Sequence, residues 1–184
     1  MGRGHDDAAG DEPEAIEGDG EPGSDDSDRL RDPEAALQRA RDIAWRSLNR
    51  RDRTVAELRE LLTAKGAEAG AVEQVIVEVT ELGHLDDAGY ARRFAEDRRN
   101  LDSWGNERIE RRLSSLGVSG EDIRRALAEP DRDGEMDRAV ELLRRRFPMA
   151  PTDDRDRSRA LGLLVRRGYE SETAYEALRR HAAE

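Results

Sequence analysis

Three glycines recur at a fixed spacing of 51 residues: Gly66, Gly117 and Gly168. A leucine stands four residues before each glycine, and two further aliphatic positions keep the same register. The aligned sets are Leu62, Leu113 and Leu164, then Val72, Ile123 and Ala174, and then Ile76, Leu127 and Leu178. A period of this length is the signature of tandem supersecondary units that stack on one another. The chain is therefore predicted to be an array of repeats.

Helix start and stop signals surround these glycines. Asp32, Pro33 and Glu34 supply an N-cap, a first-turn proline and a first-turn acid, which is the preferred opening of a helix. Thr54 and Glu57 form a capping-box pattern ahead of the next apolar stripe. The repeated glycines stand where left-handed C-caps would end helices. These signals predict nine helices in three sets of three, and no segment reads convincingly as a strand.

The predicted fold class is all-α: an elongated array of three tandem three-helix repeats, preceded by a disordered acidic tail. The expected boundaries are residues 1–33 for the tail and residues 34–83, 84–130 and 131–184 for the three repeats. Each repeat is too small to bury its own apolar face, so its neighbours must complete each core. The expected shape is a curved rod.

The net charge of −11 is concentrated in the tail. Residues 1–33 hold twelve acidic side chains and three arginines, whereas the remainder holds 29 basic and 31 acidic side chains. With only Ile16 and Leu30 as large aliphatic residues, the tail cannot bury enough surface to offset the entropy lost on ordering. It is interpreted as a solubilising extension, and the alternative is a polyanion that competes with nucleic acid for the arginine-rich body.

Patterns for catalysis and metal binding are scarce. The chain has no cysteine, which excludes disulfides, thiolate metal sites and cysteine nucleophiles. His84, Asp86 and Asp87 could form a metal or acid–base cluster, but a helix-entry loop with capping carboxylates is favoured. We expect no enzymatic activity, no cofactor and no metal. Because no apolar run approaches the length of a bilayer span, we expect a cytoplasmic protein without membrane contact. Because the array has no obvious coiled-coil seam, we expect a monomer.

Most aromatic residues lie on apolar stripes at helical spacing. Trp45, Tyr90, Phe94 and Phe147 are therefore assigned to the core. Trp104 stands outside a clear stripe, at the turn before a glycine. Packing between units is favoured for Trp104, and contact with a partner is the alternative.

One block is specific in both spacing and residue type. Its residues are Gly83-His84-Leu85-Asp86-Asp87, Tyr90-Ala91, Phe94, Gly105, Arg108-Ile109, Leu113 and Gly117-Val118. This block resembles the RecX family of bacterial regulatory proteins. Residues 44–58 are similar to the opening of that family and residues 166–169 resemble its third unit, so the resemblance spans residues 36–181. His84 departs from the aromatic residue often found after that glycine, and the acidic tail lies outside the shared pattern.

The resemblance implies a non-enzymatic regulator, an inhibitor of the RecA recombinase, that acts in DNA repair, homologous recombination and the SOS response. Proteins of the RecX family are three-repeat helical rods. They lie along the RecA–DNA filament and inhibit strand exchange and ATP hydrolysis. The implied partner is the RecA filament, with DNA phosphates as a second, non-specific partner.

Arginine supplies nearly all of the positive charge outside the tail, and its planar fork suits phosphate and carboxylate recognition. The arginines that flank the family-like block are the candidate residues for binding a partner or DNA. They are Arg92, Arg93, Arg98, Arg99, Arg108, Arg111 and Arg112. For any single pair, a solvated helix face interleaved with acidic residues is an equally good interpretation.

Two other classes of function stay open at this point. Residues 54–79 contain two helices joined by a short glycine-containing turn, as a stand-alone helix-turn-helix DNA-binding protein requires. The second of these helices offers no Arg, Lys or Asn to read base edges, which argues against that class. A generic helical scaffold that binds another protein is the third class.

Overall fold

The computed structural model describes residues 32–128 and 132–183, with only the backbone described for Arg132 and Asp133. The predicted tail falls almost wholly outside these residues. Over the described residues the chain forms nine helices and no strand, as predicted. They are α1 (Pro33–Leu48), α2 (Val55–Ala64), α3 (Ala69–Glu81), α4 (Asp87–Asp102), α5 (Asn106–Ser115), α6 (Gly120–Ala128), α7 (Arg132–Arg146), α8 (Asp154–Arg167) and α9 (Ser171–Ala182).

The helices group into three units, and each unit has its own hydrophobic cluster. The first cluster joins α1, α2 and α3 around Leu37, Leu58 and Val75. The second joins α4, α5 and α6 around Ile109 and its neighbours, and the third joins α7, α8 and α9 around Leu143. Within each unit the first and third helices pack against each other. The prediction of three tandem three-helix repeats is confirmed.

The repeated glycines end the middle helix of each unit in the same way. Gly66 has a positive φ of 78°, and its N–H donates to Thr63 O at 2.9 Å while Ala67 N donates to Leu62 O at 3.1 Å. This pair of bonds is the Schellman motif, which favours glycine at the left-handed position. Gly117 and Gly168 have φ values of 78° and 86°, with bonds from Gly117 N to Ser114 O, Val118 N to Leu113 O, Gly168 N to Val165 O and Tyr169 N to Leu164 O. The repeated leucine and glycine are therefore two parts of one helix ending.

Neighbouring units are joined by contacts that also repeat at 51 residues. At the first joint, Thr54 Oγ1 donates to Leu116 O at 2.6 Å. At the second joint, Gly105 N donates to Arg167 O at 2.9 Å. Gly105 lies 51 residues after Thr54, and Arg167 lies 51 residues after Leu116. In both joints the end of one middle helix therefore bonds to the start of the preceding one.

The two joint glycines lie in close contact with the preceding unit. A Cβ on Gly117 would lie 2.3 Å from Ala56 Cβ, and a Cβ on Gly168 would lie 2.3 Å from Arg108 Cβ and 2.5 Å from Arg108 N. A Cβ on Gly66 would meet nothing within 4 Å. Glycine is thus required for backbone conformation at all three positions and for close approach at two of them.

None of the nine described helices has both the length and the apolar character that crossing a bilayer requires.

Candidate interaction surface

The seven candidate arginines lie on two helices of the second unit. Helix α4 carries Arg92, Arg93, Arg98 and Arg99, and helix α5 carries Arg108, Arg111 and Arg112. The structure divides them by environment. Four of these side chains are exposed, two are half-buried beside an aromatic ring, and one is buried.

The exposed group consists of Arg92, Arg93, Arg111 and Arg112. Arg93 Nη2 lies 2.8 Å from Asp52 Oδ2, but both side chains are more than half exposed, so the ion pair contributes little to stability. Arg112 makes one weak bond of 3.5 Å from Nη1 to Ser115 Oγ. Arg92 and Arg111 make no hydrogen bond or ion pair with the residues that the structure describes. This group is therefore available to an anionic partner at little cost in internal contacts.

Two further arginines flank Trp104. The guanidinium carbon of Arg108 lies 4.2 Å from the centre of a Trp104 ring, and that of Arg98 lies 5.8 Å away. Phe94 packs edge-on against the same indole, with ring centres 6.2 Å apart. Arg108 Nη1 also donates to Arg166 O of the third unit at 3.0 Å. The ring contacts of Trp104 are thus with residues of its own unit, and packing between units, the favoured interpretation of Trp104, stays a prediction.

The buried arginine is Arg99, which is only 5% exposed. Its Nη2 donates to Asn106 Oδ1 at 3.0 Å and to Leu127 O at 3.2 Å. Burial lowers the pKa of Arg99, and the positive charge of Arg138 lowers it further. Arg99 thus differs from the exposed helix-face residue expected from the sequence, because its position in α4 points toward the other helices of the array.

The residues at the entry to α4 act as caps. Asp86 Oδ1 accepts from Gly89 N at 2.9 Å, and Asp87 Oδ1 accepts from Val55 N at 3.0 Å across the first joint. Burial raises the pKa of Asp87, although the bond from Val55 N opposes that effect. The ring of His84 packs edge-on against Trp45, with centres 4.7 Å apart. The helix-entry interpretation of this cluster is confirmed.

The helix-turn-helix alternative has no basic recognition face on α3. The exposed residues of α3 include Glu73, Gln74 and Val77, and α3 contains no arginine or lysine. Glu73 is held by Arg59 of α2, with its Oε1 2.7 Å from Arg59 Nε. A helix of this character would repel the phosphates on either side of a major groove.

Comparison with known proteins places each unit of this chain in one family. Residues 40–78 match the model of the first three-helix domain of RecX, residues 86–127 match the second domain and residues 133–178 match the third. Two solved structures share the fold. The crystal structure of RecX from Lactobacillus salivarius has a TM-score of 0.73 at 16% identity, covering 81% of this chain and 98% of that chain. A crystal structure of regulatory protein RecX has a TM-score of 0.69 at 21% identity, covering 80% and 73%.

Curated relatives are similar over most of their length. The regulatory protein RecX of Mycolicibacterium smegmatis is 32% identical over 159 residues, covering 83% of this chain and 85% of that protein. The regulatory protein RecX of Trichlorobacter lovleyi is 37% identical over 134 residues, covering 70% and 86%. The family-like block, the tandem three-helix units and these matches agree, and the chain belongs to the RecX family of regulatory proteins.

Proposed function

We propose that this chain is a non-enzymatic regulator of the RecA recombinase, which it inhibits by binding along the RecA–DNA filament during DNA repair and recombination. The observation that carries the proposal is the tandem match of all three units to RecX domains. The regulator acts as a cytoplasmic monomer without a cofactor. DNA phosphates contribute non-specifically to its binding.

The repeated joint supports this proposal physically. Because equivalent contacts connect successive units, the units follow one another in a regular order. A filament also presents the same surface at regular intervals. Several weak contacts made together give high avidity without any single tight site.

The exposed arginines of the second unit are the proposed contact residues. Arg92 and Arg111 can donate to an acidic surface or a phosphate without losing a bond inside the protein, and Arg112 loses only the weak contact with Ser115. Arg93 must exchange one exposed ion pair with Asp52. Arg98, Arg99 and Arg108 support this surface through packing rather than through direct contact. Electrostatic binding of this kind should weaken as the salt concentration rises.

The test is ATP turnover by the cognate RecA on single-stranded DNA, measured with and without this chain. The expected result is inhibition at substoichiometric amounts. Unchanged turnover, together with sequence-specific binding of this chain to duplex DNA, would overturn the proposal and favour a stand-alone DNA-binding protein.

A charge-reversal variant tests the contact residues separately. The variant Arg92→Glu, Arg111→Glu, Arg112→Glu should lose most of the inhibition, by about tenfold or more in the concentration required, because several charge-assisted contacts become repulsive. The matched control is Arg39→Glu, Arg46→Glu, Arg124→Glu, which reverses three exposed arginines outside the block and should inhibit normally. Circular dichroism should show equal helicity for both. Equal inhibition by the two variants would show that these three arginines do not contact the partner, but it would not contradict the proposed function.

A further inference from the structure

A groove of about 810 Å³ lies between the end of α7 and one face of α8, within the third unit. Four of the described residues that line it are arginines and none is acidic. The arginines are Arg146, Arg155, Arg159 and Arg166. Phe147 and Leu163 also line the groove, and they are half-buried whereas the arginines are exposed. The groove therefore has an apolar floor and a basic rim.

The residues that α8 contributes follow one face of the helix. Arg155, Arg159, Leu163 and Arg166 are separated by four, four and three positions, so each lies beside the next on the helix surface. At the rise of an α-helix, this stripe is about 16 Å long and positions four apart are separated by about 6 Å. Alternate side chains of an extended peptide lie on one side at about 6.6 Å intervals. A short extended peptide can therefore place successive same-side side chains along the stripe.

The arginines of the rim are available to such a peptide. The side chains of Arg146, Arg155 and Arg166 are exposed and make no hydrogen bond or ion pair with the residues that the structure describes. Arg159 Nη1 lies 2.9 Å from Asp156 Oδ1, with the two side chains 66% and 42% exposed, so that pair contributes little to stability. An acidic partner can bind here at little cost in internal contacts.

The apolar floor is held in place by the third unit. Phe147 and Leu163 both pack against the hydrophobic cluster of that unit. The backbone of Phe147 is fixed on both sides, because its N–H donates to Leu143 O at 2.7 Å and its carbonyl oxygen lies 2.8 Å from His181 Nε2. A preformed surface loses little conformational freedom when a partner binds.

This floor favours a peptide over a nucleic acid as the occupant. Arginines can bind a phosphate backbone, but single strands also gain much of their affinity by stacking bases on aromatic side chains. Phe147 is the one aromatic residue among the described residues of the groove, and it is half-buried against the core. Leu163 offers an apolar contact that a peptide side chain can fill.

We propose that this groove binds an extended acidic segment of a protein partner in which an apolar side chain lies between acidic ones. The carboxylates accept from Arg155, Arg159 and Arg166, since guanidinium groups pair well with carboxylates. The apolar side chain packs on Leu163 and Phe147 and loses its contact with water. Because the groove belongs to the third unit, the proposal does not rest on the second-unit arginines or on the regulated protein.

The first experiment titrates the full chain into a fluorescein-labelled peptide, Glu-Ser-Glu-Ser-Leu-Ser-Glu, and follows its fluorescence anisotropy. The order of acidic and apolar residues in this peptide matches the stripe on α8. We expect saturable binding that weakens as salt rises. Replacing the peptide leucine by serine should weaken binding about fivefold, because the apolar contact is lost. The proposal would be overturned by a lack of saturable binding at about 1 mM protein, the range of a weak site, or by equal affinities for the two peptides.

Charge reversal on the stripe tests the place of binding. The variant Arg155→Glu, Arg166→Glu should bind the peptide about tenfold more weakly or worse, because two attractive contacts become repulsive. The matched control is Arg39→Glu, Arg124→Glu, which makes the same change in net charge at two exposed arginines outside the groove and should bind normally. Circular dichroism should show equal helicity for both. If the reversal disturbs α8, Arg155→Gln, Arg166→Gln should still weaken binding severalfold. Equal weakening by the stripe and control variants would mean that the peptide responds to net charge alone, and would contradict the site.

A thymidine oligonucleotide distinguishes the other class of occupant. The proposal expects its affinity to be the same for the unaltered protein and for Arg155→Glu, Arg166→Glu. An oligonucleotide that displaces the labelled peptide more effectively than the unlabelled peptide does, and that loses its binding in this variant, would assign the groove to nucleic acid and overturn the proposal. These measurements contain no recombinase, so their failure would leave the proposed function untouched.

Discussion

Tyr169 is a buried residue beside a repeated glycine, and its burial changes the pKa of its phenol. It directly follows the joint glycine Gly168, and it is the largest of the fully buried side chains in the described chain. Burial raises the pKa of Tyr169 to about 12, and Glu135 raises it too, although Arg138 and two other arginines act in the opposite direction. An ionised phenol at this position therefore costs folding free energy.

The sign of the resulting pH dependence follows from proton binding. The unfolded chain has a tyrosine pKa near 10.0 and the folded chain has one of about 12, so between these values the folded state retains a proton that the unfolded state loses. The contribution of Tyr169 is complete below pH 10 and declines as pH rises toward 12, by about 3 kcal/mol in the free energy of unfolding.

The variant Tyr169→Phe carries no such proton. Urea unfolding of both proteins from about pH 9 to about pH 12 should therefore show the unaltered protein losing stability faster than the variant. Parallel loss of stability in the two proteins would mean that the phenol titrates normally in the folded state.

At the scale of the helix, the start of α2 combines a cap with a joint. Thr54 Oγ1 accepts from Glu57 N at 3.1 Å and donates to Leu116 O at 2.6 Å, and Glu57 Oε2 accepts from Thr54 N at 3.2 Å. Burial opposes ionisation of Glu57, but the bonds from Arg51 and Thr54 outweigh it and lower the pKa of Glu57. The same hydroxyl thus caps the middle helix of the first unit and bonds to the second unit.

Substitution of Thr54 by its near-isostere valine should cost more than loss of an ordinary cap. Thr54→Val removes the N-cap, which contributes about 1 kcal/mol, and leaves the Leu116 carbonyl without its donor, which costs about 1 to 3 kcal/mol more. The control is Ser119→Ala, because Ser119 caps α6 with a 3.1 Å bond from Asp122 N and its side chain is exposed. Thr54→Ser should retain most of the stability. Equal unfolding free energies for Thr54→Val and Ser119→Ala would show that the bond across the joint contributes nothing.

The helices were predictable because their signals are local. A threonine three residues before a glutamate, or a leucine four residues before a glycine, fixes helix ends through bonds within a few residues.

The environments of the arginines were not predictable in this way. Arg99 is buried among residues of α5 and α6, and Arg108 stacks on Trp104. An arginine in a helical sequence carries no local sign of which face will be covered. The sequence therefore predicts the seven arginines as one set and does not separate the four exposed side chains from the three that are buried or half-buried.

At the scale of the whole array, the two joints between units are built from equivalent contacts. Thr54 with Leu116 and Gly105 with Arg167 are the same pair of positions one period apart. The donor changes from a side-chain hydroxyl to a backbone N–H, yet the accepting carbonyl keeps its place. The period in the sequence therefore reflects the joints between units as well as the helices within them.

Alanine substitutions at the three repeated glycines can distinguish two contributions to the free energy of unfolding. One is the left-handed backbone conformation, and the other is close packing between units. Gly66→Ala places a side chain at a positive φ with open space around it, so it should destabilise the protein by about 1 to 2 kcal/mol, the cost of the left-handed conformation. Gly117→Ala adds a clash with the Ala56 side chain, and Gly168→Ala adds a clash with the Arg108 backbone. Overpacking of this kind costs about 1 to 3 kcal/mol more.

The measurement is urea unfolding of the three variants beside the unaltered protein. The expected order of destabilisation is Gly66→Ala, then Gly117→Ala, then Gly168→Ala, because a backbone facing the new Cβ cannot move aside as a side chain can. Gly105→Ala extends the series, since its φ of −79° is ordinary and its Cβ would lie 2.3 Å from Gly168 O. It should therefore destabilise the second joint without any conformational cost. Gly66→Ala and Gly168→Ala could instead lower the free energy of unfolding equally, with no change in Gly105→Ala. That result would mean that the repeated glycines are needed only to end helices and that close packing at the second joint does not stabilise the protein.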